Sequence, residues 1–122
     1  MRPEKVDYIN AHGTSTSVND SVETLAIKGA LGAAAYKVPI SSTKSMMGHS
    51  LGAAGAVEAI VCLLALQHQF LPPNINFRVQ DEDVDLNIVA NESRPASVRT
   101  VLSNSFGFGG TNASVVMQRF ET

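Results

Sequence analysis

The sequence predicts an α/β domain, a layered mixed five-stranded sheet with helices on its faces. Three observations lead there. Strand-like and helix-like stretches alternate through the first 67 residues, the order that builds a parallel sheet under helices. Two further apolar runs near the end are joined by a glycine-rich turn, as in a hairpin. The chain is 44% hydrophobic and only 16% charged, below the usual quarter for soluble domains, so its elements are expected to be covered on more than one side.

The elements follow in order. Residues 6–10 alternate apolar positions and form the first strand. Asn19 and Asp20 open a helix, and Asp20 with Glu23 three residues on has the spacing of a capping box. Val22, Leu25, Ala26 and Gly29 share one face of it at helical spacing, and Gly32 ends it. Residues 38–42 form the second strand, with Pro39 near its start, where proline is tolerated. A polar loop carrying Lys44 and His49 comes next. A helix rich in Ala, Gly and Leu then runs from about Ser50, its N-cap, to Gln67. Its apolar residues run nearly all round, the pattern of a helix covered on every side. Pro72 and Pro73 end helical structure. Residues 86–89, 100–105 and 113–119 are the remaining strands, and residues 80–85 an acidic solvated loop.

Bulk properties exclude some functions. A net charge of -2 supplies no basic stripe for phosphates, which argues against nucleic-acid binding. One cysteine excludes an internal disulfide and a cysteine-rich zinc site, and no metal site is expected. It fits a reducing, cytoplasmic compartment. No signal peptide is apparent. The apolar run at residues 51–66 is shorter than the ~20 residues a bilayer needs and carries Glu58 at its middle, so no membrane span is expected. Length suits one domain or one half of a duplicated one.

Three stretches carry chemistry. The first is Ser41-Ser42-Thr43-Lys44-Ser45-Met46-Met47-Gly48-His49-Ser50-Leu51-Gly52-Ala53-Ala54-Gly55, where a lysine and a histidine precede an apolar helix whose first N–H groups favour an anion nearby. The second is Asn10-Ala11-His12-Gly13-Thr14-Ser15-Thr16, with His12 at a strand's carboxyl end, where α/β ligands sit. Thr14 and Thr16 are hydroxyl donors that either bind a ligand or close a turn. The third is Asn104-Ser105-Phe106-Gly107-Phe108-Gly109-Gly110-Thr111-Asn112. Cys62 lies mid-helix among Val61, Leu63 and Leu64 with nothing to favour a thiolate, and reads as a core residue. Glu58 in the same apolar helix needs a partner if buried, and a solvent-facing Glu58 is the other reading.

In this order and spacing, the three stretches resemble the C-terminal half of the β-ketoacyl-[acyl-carrier-protein] synthases, condensing enzymes with a thiolase-like fold. The resemblance runs from Asp7 to Met117. It implies decarboxylative Claisen condensation of malonyl-carrier protein with an enzyme-bound acyl group in fatty acid biosynthesis. His12 and His49 match the family's pair of N–H donors to the enolate oxygen. Lys44 matches its lysine, with Glu58 behind it in support. The backbone N–H of Phe108 matches half of the second oxyanion hole, its ring gates the acyl pocket, and Gly107 and Gly109 let that loop swing. Thr14 and Thr16 match groups that bond the phosphopantetheine arm. The resemblance further implies no bound cofactor, acyl carrier protein as partner, homodimers in full-length members, and an N-terminal nucleophile-bearing half not contained in these 122 residues. A polyketide synthase condensing domain, or a non-catalytic fragment or subunit needing a partner half, are the rival readings.

Overall fold

A computed structural model describes residues 1–120. It contains the expected five-stranded sheet. The strands are β1 (Tyr8–Asn10), β2 (Pro39–Ser41), β4 (Asn87–Ile88), β6 (Thr100–Phe106) and β7 (Asn112–Gln118), in the spatial order β4-β2-β1-β6-β7. The first four are mutually parallel, and β7 returns antiparallel to β6. A two-stranded antiparallel ribbon, β3 (Phe70–Leu71) with β5 (Arg94–Pro95), was not expected from the sequence. Two residues per strand leave no periodicity to read.

The pleat sorts the core into two halves. Ile9 and Ile40 face a cluster with Ile27, Ala35, Val38 and Leu86. Tyr8 and Val101, one residue out of phase, face Cys62, Ala65, Leu66, Leu71 and Val89. Helix α1 (Asn19–Leu31) therefore covers one face and α3 (Ala54–His68) the other, with the short α2 (Lys44–Met47) between β2 and α3.

Four local expectations are corrected. Helix α1 buries Glu23, Thr24 and Ile27, whereas Val22 and Leu25 are 54% and 67% exposed. Two stripes at helical spacing compete on this helix, and hydrogen bonds to the Glu23 carboxylate draw the more polar one inward. Asp20 and Glu23 form no capping box: α1 has no side-chain cap at Val18. Asp20 instead accepts the Ser15 N–H, and Glu23 reaches back to the loop after β1. Ser50 does not cap α3. Its ψ of 22° is not the extended backbone that a cap requires, and a 3-10 turn (Leu51–Ala53) precedes α3.

Fourth, α3 is not covered all round. It buries Ala54, Glu58, Cys62, Ala65 and Leu66, while Ile60, Leu63 and Leu64 stand about half exposed. With its leading turn, the stretch Leu51–His68 is long and apolar enough to cross a membrane by length and composition. Here its inner stripe packs on the sheet.

Candidate active site

The loops that follow β1 and β2 lie side by side at the carboxyl ends of adjacent parallel strands. They are locked together at Gly13. Ser42 Oγ donates to the Gly13 carbonyl at 2.8 Å. A Cβ on Gly13 would meet Ser42 Cβ at 2.4 Å, and φ there is +40°. Only glycine fits. The backbone N–H groups of His12 and Gly13 each donate to the Glu23 carboxylate at 2.9 Å.

The two histidines come together as expected, with ring centroids 5.5 Å apart and planes at 84°. They are held differently. His12 is buried, and its Nδ1 has no hydrogen-bond partner among the described residues. Burial, and then the charge of Lys44, push its pKa below 6.5 and favour the neutral ring. His49 follows α2, which ends at Gly48 with φ +73°. Its Nδ1 accepts the Leu51 N–H at 3.2 Å. That bond leaves the ring proton on Nε2. Leu51 reaches it with φ +51°, a left-handed backbone unusual for a side chain of this kind and one that concentrates at functional sites.

Lys44 sits at the first position of α2, not in a loop, and forms a buried ion pair with Glu58 of α3. The side chains are 6% and 3% exposed, so Glu58 is paired with Lys44 in the interior and does not face solvent. Beside the pair, Asn10 Nδ2 donates to Thr43 Oγ1 at 3.2 Å, and both side chains are fully buried.

The threonines make local contacts. Thr16 Oγ1 accepts the Asn19 N–H at 3.1 Å, and the two hydroxyls lie 3.4 Å apart. In the glycine-rich turn, the Gly107 N–H donates to the Thr111 carbonyl at 2.9 Å, and a Cβ on Gly107 would approach that oxygen to 2.8 Å. Gly109 and Gly110 have φ +76° and +82°. The Phe108 ring is wholly exposed. The aromatic that packs on His12 is Phe106, at 5.6 Å. Phe106, Asn104 and Glu23 are the site residues that sequence reasoning passed over. The first two lie inside the third stretch, and Glu23 had the misleading alternative of a cap. Cys62 is fully buried, and burial pushes its thiol up to about 11, as fits a core residue and not a nucleophile.

Comparison with known proteins agrees with this geometry. The profile of the family described as "Beta-ketoacyl synthase, C-terminal domain" matches residues 1–78. The chain is 56% identical over 119 residues to 3-oxoacyl-[acyl-carrier-protein] synthase 2 of Coxiella burnetii, covering 98% of this chain and 29% of that protein. It is 50% identical over 112 residues to putative polyketide beta-ketoacyl synthase 1 of Streptomyces halstedii, covering 92% and 26%. The crystal structure of a beta-ketoacyl synthase from Burkholderia phymatum STM815 superposes with a TM-score of 0.91 at 35% identity, covering 99% of this chain and 29% of that one. A type II polyketide ketosynthase solved with its acyl-carrier protein gives 0.96 at 40%, covering 99% and 30%. The chain thus spans less than a third of the length of these relatives. It belongs to the β-ketoacyl synthase family of thiolase-like condensing enzymes, as their C-terminal domain.

Proposed function

We propose that this chain supplies the decarboxylation groups of an acyl-chain-elongating condensing enzyme. The observation that carries the reading is the pair of imidazoles 5.5 Å apart, one of them fixed by the Leu51 N–H as an Nε2 donor. In the reaction, the bond between the malonyl α-carbon and its carboxylate breaks. Carbon dioxide leaves, and the electron pair passes into an enolate whose charge rests on the thioester oxygen. Donors set in advance around that oxygen lower the barrier, because nothing must reorganise as charge develops. The enolate carbon then attacks the acyl thioester on a cysteine, whose thiolate departs. Cys62, the chain's single cysteine, is buried in the core, so the nucleophile comes from outside these 122 residues.

Lys44 holds the polar surroundings of the histidines through Glu58, and the Phe108 N–H serves the second oxyanion hole. Thr14 and Thr16 face the phosphopantetheine arm of an acyl carrier protein. A relative solved with its carrier protein supports that partnership. Homodimeric assembly and a cytoplasmic setting belong to the same reading. Relatives named as a 3-oxoacyl-[acyl-carrier-protein] synthase and as a polyketide beta-ketoacyl synthase match at comparable identity, and the reading covers either setting.

The test is His49→Ala in a complete enzyme containing this chain. Carbon dioxide release should fall ~100- to 1000-fold, the usual cost of one oxyanion donor, while acyl transfer to the cysteine persists. Unchanged carbon dioxide release removes His49 from the role.

A further inference from the structure

His12 poses a problem of placement. Its ring makes no hydrogen bond through Nδ1 among the described residues and rests edge-on against His49 and tilted against Phe106. A ring without a hydrogen-bonded anchor is located by its backbone. That backbone is held by Glu23, and the decarboxylation chemistry gives Glu23 no task of its own.

Glu23 is 3% exposed, and its carboxylate takes four donors. Oε1 accepts the His12 N–H at 2.9 Å and Asn104 Nδ2 at 3.2 Å. Oε2 accepts the Gly13 N–H at 2.9 Å and Asn19 Nδ2 at 3.4 Å. Two of these are the backbone that carries His12, and a third is the buried Asn104 side chain of β6. Asn104 stands directly across from Ser114 of β7. Ser114 Oγ donates to Asn104 Oδ1 at 2.8 Å. With its oxygen engaged there, the amide must turn its NH2 to Glu23. The reversed amide would set an oxygen against a carboxylate.

We propose that Ser114, Asn104 and Glu23 form a positioning relay that runs from the edge strand β7 through β6 to the His12 backbone, and so fixes the His12 ring against His49. None of the three is proposed to touch substrate. The proposal rests on the reading of His12 as an enolate donor.

The test uses a complete condensing enzyme containing this chain and three variants. Asn104→Asp keeps the shape but replaces the NH2 with an oxygen, Ser114→Ala removes the outer hydroxyl, and Ser114→Thr keeps it. Two readouts are taken: amide hydrogen exchange over residues 10–16, and the steady-state kinetics of malonyl decarboxylation. Asn104→Asp and Ser114→Ala should speed exchange at the His12 and Gly13 amides. Ser114→Ala should lower kcat by ~2- to 12-fold, the worth of one hydrogen bond, and Asn104→Asp, which sets an oxygen against the Glu23 carboxylate, by more. KM should stay within about twofold, because binding of the carried substrate is untouched. Ser114→Thr should restore both readouts. Unchanged exchange at His12 and Gly13 in Asn104→Asp overturns the relay. So does faster exchange spread equally over β1 and β2, which marks general loosening, or a loss confined to KM. An unaltered enzyme that releases no carbon dioxide overturns the reading of the site itself, and the exchange data then decide the relay alone.

Discussion

Glu58→Ala should be among the most destabilising single changes in this chain. The Lys44 and Glu58 side chains are 6% and 3% exposed, whereas those of the Lys28–Asp85 pair are 24% and 51% exposed. Removing the carboxylate leaves a buried ammonium with no counter-charge. Breaking such a pair costs ~3–5 kcal/mol. A chain of this length has roughly 6–18 kcal/mol in total, so a large share of its stability goes. At about 3–5 °C per kcal/mol for a domain of this size, the midpoint should drop by roughly 10–25 °C. Thermal unfolding by circular dichroism at pH 7 measures this, at one protein concentration so that association is common to every variant. The double variant Lys44→Met/Glu58→Leu, which removes both charges and keeps the volume, should recover most of the loss. A cost below ~1 kcal/mol for Glu58→Ala, the range of an exposed pair, would refute the reasoning.

Three further outcomes follow from the same structure. The folded pKa of His12 lies below its ordinary 6.5, so its contribution to stability is whole above that pH and falls as acid protonates the unfolded chain first; the stability gap between the parent and His12→Asn should therefore shrink below pH 6.5, and a gap that widens in acid would contradict the burial argument. Phe108→Ala should leave stability within ~0.5 kcal/mol, because the ring is wholly exposed, yet shift the acyl-chain preference of a complete enzyme in a chain-length series; a uniform loss across chain lengths points to a distorted turn instead. The isolated chain should self-associate, since Ile60, Leu63 and Leu64 on α3 and Val115 on β7 are each about half exposed and apolar faces of this kind seek a cover; sedimentation should show larger species that Leu63→Lys reduces, and a clean monomer at high concentration would count against the exposed face.

The legible parts of the fold were those with a strong local signal. The sheet's five strands, the helix stop at Gly32 and the hairpin through the glycine-rich turn depend on short-range patterning and on backbone angles that glycine alone tolerates. The ribbon of β3 with β5 depends on contacts between segments more than twenty residues apart, which no window reveals. The pairing of His12 with His49 was readable only through resemblance, because β1 and β2 must first lie parallel before residues 37 apart can meet. Glu23 failed for a different reason. A carboxylate three residues after Asp20 has an ordinary explanation as a cap, and only the turn of the loop at Gly13 shows that its donors come from His12 and Gly13. Family likeness points to Phe108 and assigns nothing to Phe106, yet it is Phe106 that packs on His12. The strand explains the difference: Phe106 is the last residue of β6 and stays with the sheet, while Phe108 lies in the turn beyond it.

The buried ion pair and the neutral histidine are two sides of one arrangement. In the role proposed for it, an imidazolium at His12 would be a strong donor, but also an acid close to the enolate. A proton passed to the enolate carbon ends the reaction before condensation. A neutral ring stabilises the oxygen and keeps its proton. Burial disfavours the charged ring, and the Lys44 ammonium adds to this. An unpaired ammonium there would itself be expelled or neutralised. Glu58, reaching in from α3, gives Lys44 its counter-charge at that depth. Glu58 and Cys62 share the buried stripe of α3 one turn apart, so the helix that carries the counter-charge is anchored by the same core that holds the sheet. Decarboxylation without condensation should therefore rise relative to condensation when Glu58 is removed, if enough folded enzyme survives at low temperature to assay both products. A fall of both activities in the same ratio would show that the pair serves stability alone.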